Sequence, residues 1–196
     1  MKIIAIEGLD KSGKASATRL LTEYLKTLNY NVVQSEFHRY DTPTGKLIQD
    51  WLYKRYDVDQ QTIELIMAAD KQAQQKWFGQ LEEDGVDFLI LDRYTTSQKV
   101  YSEMNGILPE WIGTLQFYTR RPDVEILLDI PSEVSMARKG KHGENDRYES
   151  DKALLDSVRA SYLEYFETRS DCYIVSGLET ISEVHSKIIE LIKPYL

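Results

Sequence analysis

The sequence predicts a doubly wound α/β fold, a five-stranded parallel sheet flanked by helices with a short lid, on the strength of three observations. Short apolar runs alternate with longer segments of helical periodicity, the pattern of parallel strands joined by crossover helices. The runs are continuously apolar rather than alternating, which suits strands buried on both faces. A glycine-bearing turn stands between the first run and the first helical segment, at the end of the strands where such sheets open their ligand crevice.

The expected strands are "KIIAIE" from Lys2, "NVVQSEF" from Asn31, "DFLILD" from Asp87, "VEILLDI" from Val124 and "CYIVS" from Cys172. Apolar residues at helical spacing fill "SATRLLTEYLKTL", "TIELIMAADKQAQQKWFGQL", "SEVSMAR", "LLDSVRASYLEYFET" and "ISEVHSKIIELI". Pro43, Pro109, Pro131 and Pro194 fall where helices start or stop. The segment "RKGKHGENDR", Arg138 to Arg147, has no apolar stripe and interrupts the helical pattern, so residues 138–149 read as a lid. No repeat or linker divides the chain, and a single domain over residues 1–196 is expected.

Composition narrows the function classes. With 24 basic against 32 acidic residues the net charge is -8, which argues against binding nucleic acid or an anionic membrane surface. Any phosphate chemistry then belongs in a local pocket, on small molecules. The single cysteine, Cys172, excludes an internal disulfide and reads as a small buried residue. The opening "MKIIAIEG" meets Glu7 too soon for a signal peptide or a membrane span, so the cytoplasm is the expected location, a host cytoplasm if the gene is viral.

Gly8, Gly13 and Lys14 satisfy G-x-x-x-x-G-K directly between a strand and a helix, the context in which that motif is a phosphate loop of the P-loop NTPase type. Its glycines let backbone N–H groups converge on phosphate oxygens, the helix terminus adds partial positive charge, and Lys14 adds a full one. Lys11, Ser12, Ala15 and Ser16 complete the expected ATP-binding stretch. Ala15 stands where a serine or threonine usually holds Mg2+, and Ser16 comes one position late. Magnesium keeps several waters and binds mainly through substrate phosphates, so the loss reorganises the site rather than abolishing it. Asp92, at the end of "FLILD", faces the same crevice and is the candidate for holding Mg2+ or its waters, with Arg93 beside it for a phosphate. In isolation an Asp-Arg pair at a strand end is a surface ion pair or a helix cap. Beside a phosphate loop it converges on one crevice.

Collinear with these stretches are Phe37, Thr42 and Gly45 ahead of "KLI", Asp70-Lys71 after "AA", Tyr94, Ser97 and Tyr101 after Asp92-Arg93, the run "RRPDVEILLDIPSEVSMAR", and Asp146 to Glu149 ahead of "VRASYLEYF". Together they resemble the thymidylate kinases, a family of nucleoside monophosphate kinases, over nearly the whole chain. The resemblance implies transfer of the terminal phosphoryl group of ATP to a pyrimidine deoxynucleoside 5′-monophosphate, with ATP and Mg2+ as cofactors and a homodimer as the assembly. It implies that Lys14 accompanies the moving phosphoryl group, that Arg93 holds the acceptor phosphate, and that Asp10 meets the sugar 3′-hydroxyl. Lys11 looks like the basic loop residue that some members place as arginine, although it lacks arginine's bidentate fork. Arg138, Lys141 and Arg147 are then the lid candidates for clamping ATP.

The base pocket departs from the family pattern. A stacking phenylalanine and a base-bonding arginine four residues later are replaced by Met67 and Lys71. Methionine covers a ring with looser shape selection, and lysine donates without a planar fork. Gln98 falls where some members set an amide against the pyrimidine N3 edge, and Tyr101 where an aromatic packs on the sugar. Phe37 keeps its place, but the following arginine comes one residue early, as Arg39, with Tyr40 at its expected position; Arg39 is expected to reach the acceptor phosphate. A relaxed pocket would admit dUMP or a 5-substituted dUMP beside dTMP. Two rivals share the scaffold: a deoxynucleoside kinase using Glu36 as its base, and a noncatalytic nucleotide-binding module, for which Ala15 speaks. The helices after Pro43 and Asp59, with Trp51 and Tyr53 reading as exposed, are the expected dimer surface.

Overall fold

Five strands, β1 (Lys2–Glu7), β2 (Val32–Glu36), β3 (Phe88–Asp92), β4 (Val124–Asp129) and β5 (Cys172–Ser176), form one parallel sheet in the order β2-β3-β1-β4-β5. They are seen in a computed structural model, which describes residues 1–138, 147–148 and 151–196. Lys141, Asp146, Glu149 and most of the expected lid lie outside the described residues. The chain places β2 and β3 on one side of β1, then β4 and β5 on the other, so a crevice opens at the carboxyl ends of the central strands. In register, Ile6 pairs with Asp92 and Glu7 with Leu127, which brings the phosphate loop and the Asp92-Arg93 turn to one edge.

Nine helices surround the sheet among the described residues: α1 (Lys14–Thr27), α2 (Pro43–Leu52), α3 (Gln60–Ala73), α4 (Gln75–Glu83), α5 (Thr95–Met104), α6 (Pro109–Leu115), α7 (Ser132–Ala137), α8 (Lys152–Glu167) and α9 (Ile181–Ile192). Strand alternation sorts the apolar residues to two faces. Ile4, Ile6, Phe88, Ile90, Ile126 and Leu128 pack against Leu21 and Leu25 of α1 and Ile188 and Ile192 of α9. On the opposite face, Ile3, Ala5, Leu89 and Leu91 meet Phe78 and Leu81 of α4. Leu127 joins a third cluster built from α2, α3, α5 and α8. The central strands β1, β3 and β4 are covered on both faces and read as unbroken apolar runs, whereas the edge strands β2 and β5 expose Gln34, Glu36 and Ile174.

Three expectations change. The single helical stretch from Thr62 to Leu81 is two helices, α3 and α4, hinged at Gln74, whose N–H bonds back to Lys71 O, three residues earlier, at 3.2 Å. Helix α5 is unexpected, because "TTSQKVYSEM" is polar and β-branched and its helix is started by a group outside it, whereas α6 does begin at Pro109. Trp51 is not exposed: it is 2% accessible, stacked by the Arg147 guanidinium at 4.3 Å and by Tyr148, and Tyr53 is half-buried. Trp51 therefore belongs to the core and offers no dimer surface. No described helix is long and apolar enough to cross a membrane.

Candidate active site

The phosphate loop is shaped by backbone that side chains resist. Gly8 (φ 140°) and Gly13 (φ 108°) both lie at positive φ. A Cβ on Gly8 would fall 2.6 Å from Leu128 O, so the loop lies against the β4 edge only as glycine. Gly13 starts α1 with no side-chain cap, leaving the first N–H groups of that helix for a ligand. Lys14 is 6% exposed and folds back over the loop, donating to Leu9 O at 2.8 Å and Gly8 O at 3.2 Å. Burial and the Arg93 charge lower its pKa, opposed by Asp10, Asp92 and Glu7. The Ser12 hydroxyl is buried without a hydrogen-bond partner, a donor held ready in the loop.

Beside the loop lies a cleft of about 300 Å³, lined by Ser12, Gly13, Ser16, Arg138, Gly177 and His185 among others. Arg138 closes one wall, donating to Lys11 O at 3.0 Å and Gly177 O at 2.9 Å. Ala15 is exposed at the head of α1 and brings no oxygen. Asp92 is half-buried and its carboxylate makes no hydrogen bond or ion pair to another described residue, while its charge acts on the Lys14 ammonium. Its carboxylate is thus uncommitted, close enough for its charge to act on the Lys14 ammonium.

A second, smaller cavity of about 110 Å³ sits across the loop from the first, with Asp10, Phe37, Met67, Arg93, Ser97, Gln98 and Tyr101 in its lining. Arg93 joins the two halves: Nη2 donates to Asp10 Oδ1 at 2.6 Å and Nη1 to Ser97 Oγ at 3.1 Å, with the guanidinium 5.5 Å from the Tyr101 ring centre. Burial pushes the Asp10 carboxyl up, but Arg93 and Lys14 outweigh it and hold the pKa below the ordinary aspartate value. Arg93 itself sits at φ 64°, a costly conformation for a residue other than glycine, fixed by its N–H bonding to Ile6 O at 2.9 Å.

What enforces this turn is Glu7, a residue the sequence reading passed over. Fully buried at the end of β1, it accepts from Tyr94 N at 2.8 Å and Ser97 N at 3.4 Å, capping α5, whose own first residue offers no cap. Its other oxygen accepts from Ser97 Oγ, and from Tyr162 OH at 3.1 Å. A carboxylate at a helix start both fills orphan donors and meets the positive end of the dipole. An acid at the end of "IIAIE" was the visible signal, since a charge on a strand buried on both faces needs a purpose.

Three expected residues stand elsewhere than supposed, and a fourth, Gln98, lines the cavity with its amide already bonded. Arg39 points out of the cavity: it pairs with Asp41 at 2.8 Å, donates to Gln74 Oε1 at 3.0 Å and lies 4.9 Å from the Trp77 ring centre. Its neighbours Phe37, His38 and Tyr40 line the cavity instead, where the chain bends beyond β2. His38 Nδ1 is 3.0 Å from the buried Asp70, which also accepts from Thr42 and Thr44, and burial together with Lys71 pushes its pKa down to about 4. Lys71 is one layer back, its ammonium donating to Gln98 Oε1 at 3.1 Å, and burial lowers its pKa to about 8. Gln98 lines the cavity but its amide is taken up by Lys71, Gln116 and Glu64. Arg147 lies at the end of α2, donating to Trp51 O at 3.3 Å, and is not brought to the phosphate loop.

Residues 6–188 match the family model described as "Thymidylate kinase". A "Probable thymidylate kinase" of Pyrococcus abyssi is 30% identical over 97% of this chain and 95% of that protein. The "Thymidylate kinase" of Schizosaccharomyces pombe is 28% identical over 97% and 91%. A solved Candida albicans thymidylate kinase, described as having broad substrate specificity, superposes with a TM-score of 0.81 at 26% identity, covering 99% of this chain and 92% of that one.

Proposed function

The chain belongs to the thymidylate kinase family, it carries out the ATP-dependent phosphorylation of dTMP to dTDP, and we propose how its residues divide that reaction. The 300 Å³ cleft takes ATP, its phosphates on the loop N–H groups, the Ser12 hydroxyl and Lys14, with Arg138 as the wall. The smaller cavity takes the acceptor nucleotide, its phosphate on Arg93 and its sugar against Asp10 and Tyr101, with Phe37 and Met67 about the ring. The observation that carries this division is the 2.6 Å Arg93 to Asp10 pair, because it ties the donor loop to the acceptor cavity, so that phosphates bound on the two sides would meet at that pair. Phosphoryl transfer asks little covalent help; in-line placement and neutralised charge supply most of the acceleration. Lys14, held over Gly8 and Leu9 by their carbonyls, follows the transferring group with little reorganisation.

Magnesium, when bound, would neutralise charge on the phosphates. Among the described residues no cluster of three or more His, Cys, Asp or Glu could cage a metal. Asp92, uncommitted and close enough for its charge to act on Lys14, fits a metal held mainly by the nucleotide and reached through water, which accounts for the tolerance of Ala15. Restoring the hydroxyl with Ala15→Thr should lower the magnesium concentration for half-maximal rate by about threefold; an unchanged requirement would show that Asp92 and water suffice.

Methionine in place of an aromatic at the ring face favours acceptance of dUMP and 5-substituted dUMP along with dTMP. Glu36, the base a nucleoside kinase would need, is exposed and absent from the cavity lining, which disfavours that rival. Side-by-side turnover of dTMP, dUMP, dCMP and thymidine with ATP and magnesium tests the reading. dTMP and dUMP should be phosphorylated and thymidine not; preference for thymidine or dCMP would overturn the acceptor assignment, and nucleotide binding without diphosphate would support a noncatalytic module. The homodimer belongs to the same proposal, and sedimentation of the full chain would decide it.

A further inference from the structure

We propose that Glu64 reads the pyrimidine base, accepting a hydrogen bond from its N3–H. The proposal rests on the cavity being the acceptor-nucleotide site. Arg93 and Asp10 mark the phosphate and sugar end, so the base lies toward Met67, where Gln98 and Glu64 belong to a polar lining that also includes His38, Tyr40 and Ser102; Ser102 donates its hydroxyl to Gln98 O and His38 is engaged by Asp70. Gln98 has nothing left to offer. Its Nε2 donates to Glu64 O at 3.0 Å and Glu64 Oε2 at 2.9 Å, and its Oε1 accepts from Lys71 and Gln116, both at 3.1 Å. Two N–H groups and two lone pairs exhaust an amide.

Glu64 differs. A carboxylate presents about four lone-pair sites, and here Gln60 Nε2 at 2.7 Å and Gln98 Nε2 at 2.9 Å occupy one on each oxygen. The remaining capacity belongs to a side chain only 1% exposed that nevertheless lines the cavity. Glu64 precedes Met67 by three positions on α3, so both face the same way, and Lys71 follows on that face. The Lys71 ammonium offsets the buried charge and, through Gln98, holds the carboxylate in place. Thymine and uracil present an N3–H donor between two carbonyls; cytosine presents a lone pair at N3. An acceptor-only group pairs with the first and repels the second, so Glu64 makes the site selective for the N3–H edge even though Met67 relaxes ring shape.

Steady-state kinetics of the full chain with ATP, magnesium and dTMP, N3-methyl-dTMP or dCMP test this. For the wild type, kcat/KM for N3-methyl-dTMP should be at least about 100-fold below that for dTMP, as for a site built around a substrate N–H. Glu64→Gln should raise KM for dTMP about tenfold, leave KM for ATP unchanged, and narrow the preference for dTMP over dCMP, because an amide can turn a donor toward cytosine N3. If the wild type accepts N3-methyl-dTMP within about threefold of dTMP, or the variant leaves dTMP kinetics unchanged, the role of Glu64 falls while the kinase reading stands. A wild type that phosphorylates no pyrimidine monophosphate removes both. The methylated substrate is tested on the unaltered protein, so the answer does not depend on the variant folding.

Discussion

The two halves of the cleft are built by opposite means. The donor side is backbone: eight consecutive positions, Gly8 to Ala15, two glycines at positive φ, and a lysine tethered to carbonyls of its own loop. The acceptor side is side chains gathered from afar, with Glu7 of β1, Arg93 and Ser97 after β3, and Tyr162 of α8 sharing one buried network. Backbone grips phosphate, which every nucleotide carries, whereas side chains choose the base and sugar. Mutations on the first side should therefore strike chemistry, and mutations on the second should strike acceptor selection.

The sharpest contrast comes from Lys14→Met, expected to lower kcat on the order of 1000-fold with KM for dTMP little changed, since it removes charge that acts mainly on the transferring group. Arg93→Lys should instead raise KM for dTMP and lower kcat/KM about 100-fold, because a point charge cannot hold Asp10, Ser97 and a phosphate together. If Arg93→Lys altered only KM for ATP, the division of the cleft would be wrong.

Glu7→Gln touches no ligand, and its effect should be smaller: about 2 kcal/mol of stability, from urea unfolding, for loss of a buried acceptor that caps α5. KM for dTMP should rise with it, as Arg93 and Ser97 loosen together. An equal rise in KM for ATP would show that the network supports the whole cleft rather than one side.

Acidification should also act first on the acceptor side. With a folded pKa near 4 against an ordinary 6.5, His38 stays neutral in the fold while the unfolded chain takes up its proton. Its contribution is complete above pH 6.5, is lost as pH falls toward 4 and amounts to about 3 kcal/mol. His38→Gln should flatten that part of the stability profile measured by denaturant titration; an unchanged slope would move the effect to Asp70 or elsewhere. At the small end, Arg39→Ala should change kcat and both KM values by less than about twofold, because its side chain is held outside the cavity. A large loss would restore Arg39 to the acceptor site.

How much was legible follows the same division. The loop could be read because a glycine's positive φ, a strand before it and a helix after it are local properties, and the five apolar runs announced the sheet. Glu7 was visible as an odd acid on a buried strand, but its partners lie 87, 90 and 155 positions away, beyond any spacing rule. Lys71 fell on a helix the periodicity shows and Gln98 on one it does not, and that both are already bonded to neighbours could not be read in either case, since which polar group remains free depends on what the others have bonded. Arg39 was misdirected because a bend in extended chain decides which of three neighbouring side chains turns inward.

By itself the sequence determined the doubly wound architecture, the phosphate loop and the position of the Asp92-Arg93 turn, all set by periodicity and by residues adjacent in the chain. Only the tertiary structure decided that Trp51 is core, that α5 begins on Glu7, and that the base cavity is left with the free lone pairs of Glu64. Hydrogen-bond saturation is the physical reason: a buried polar group's availability is settled by all its neighbours at once, and those neighbours meet only when the chain has folded.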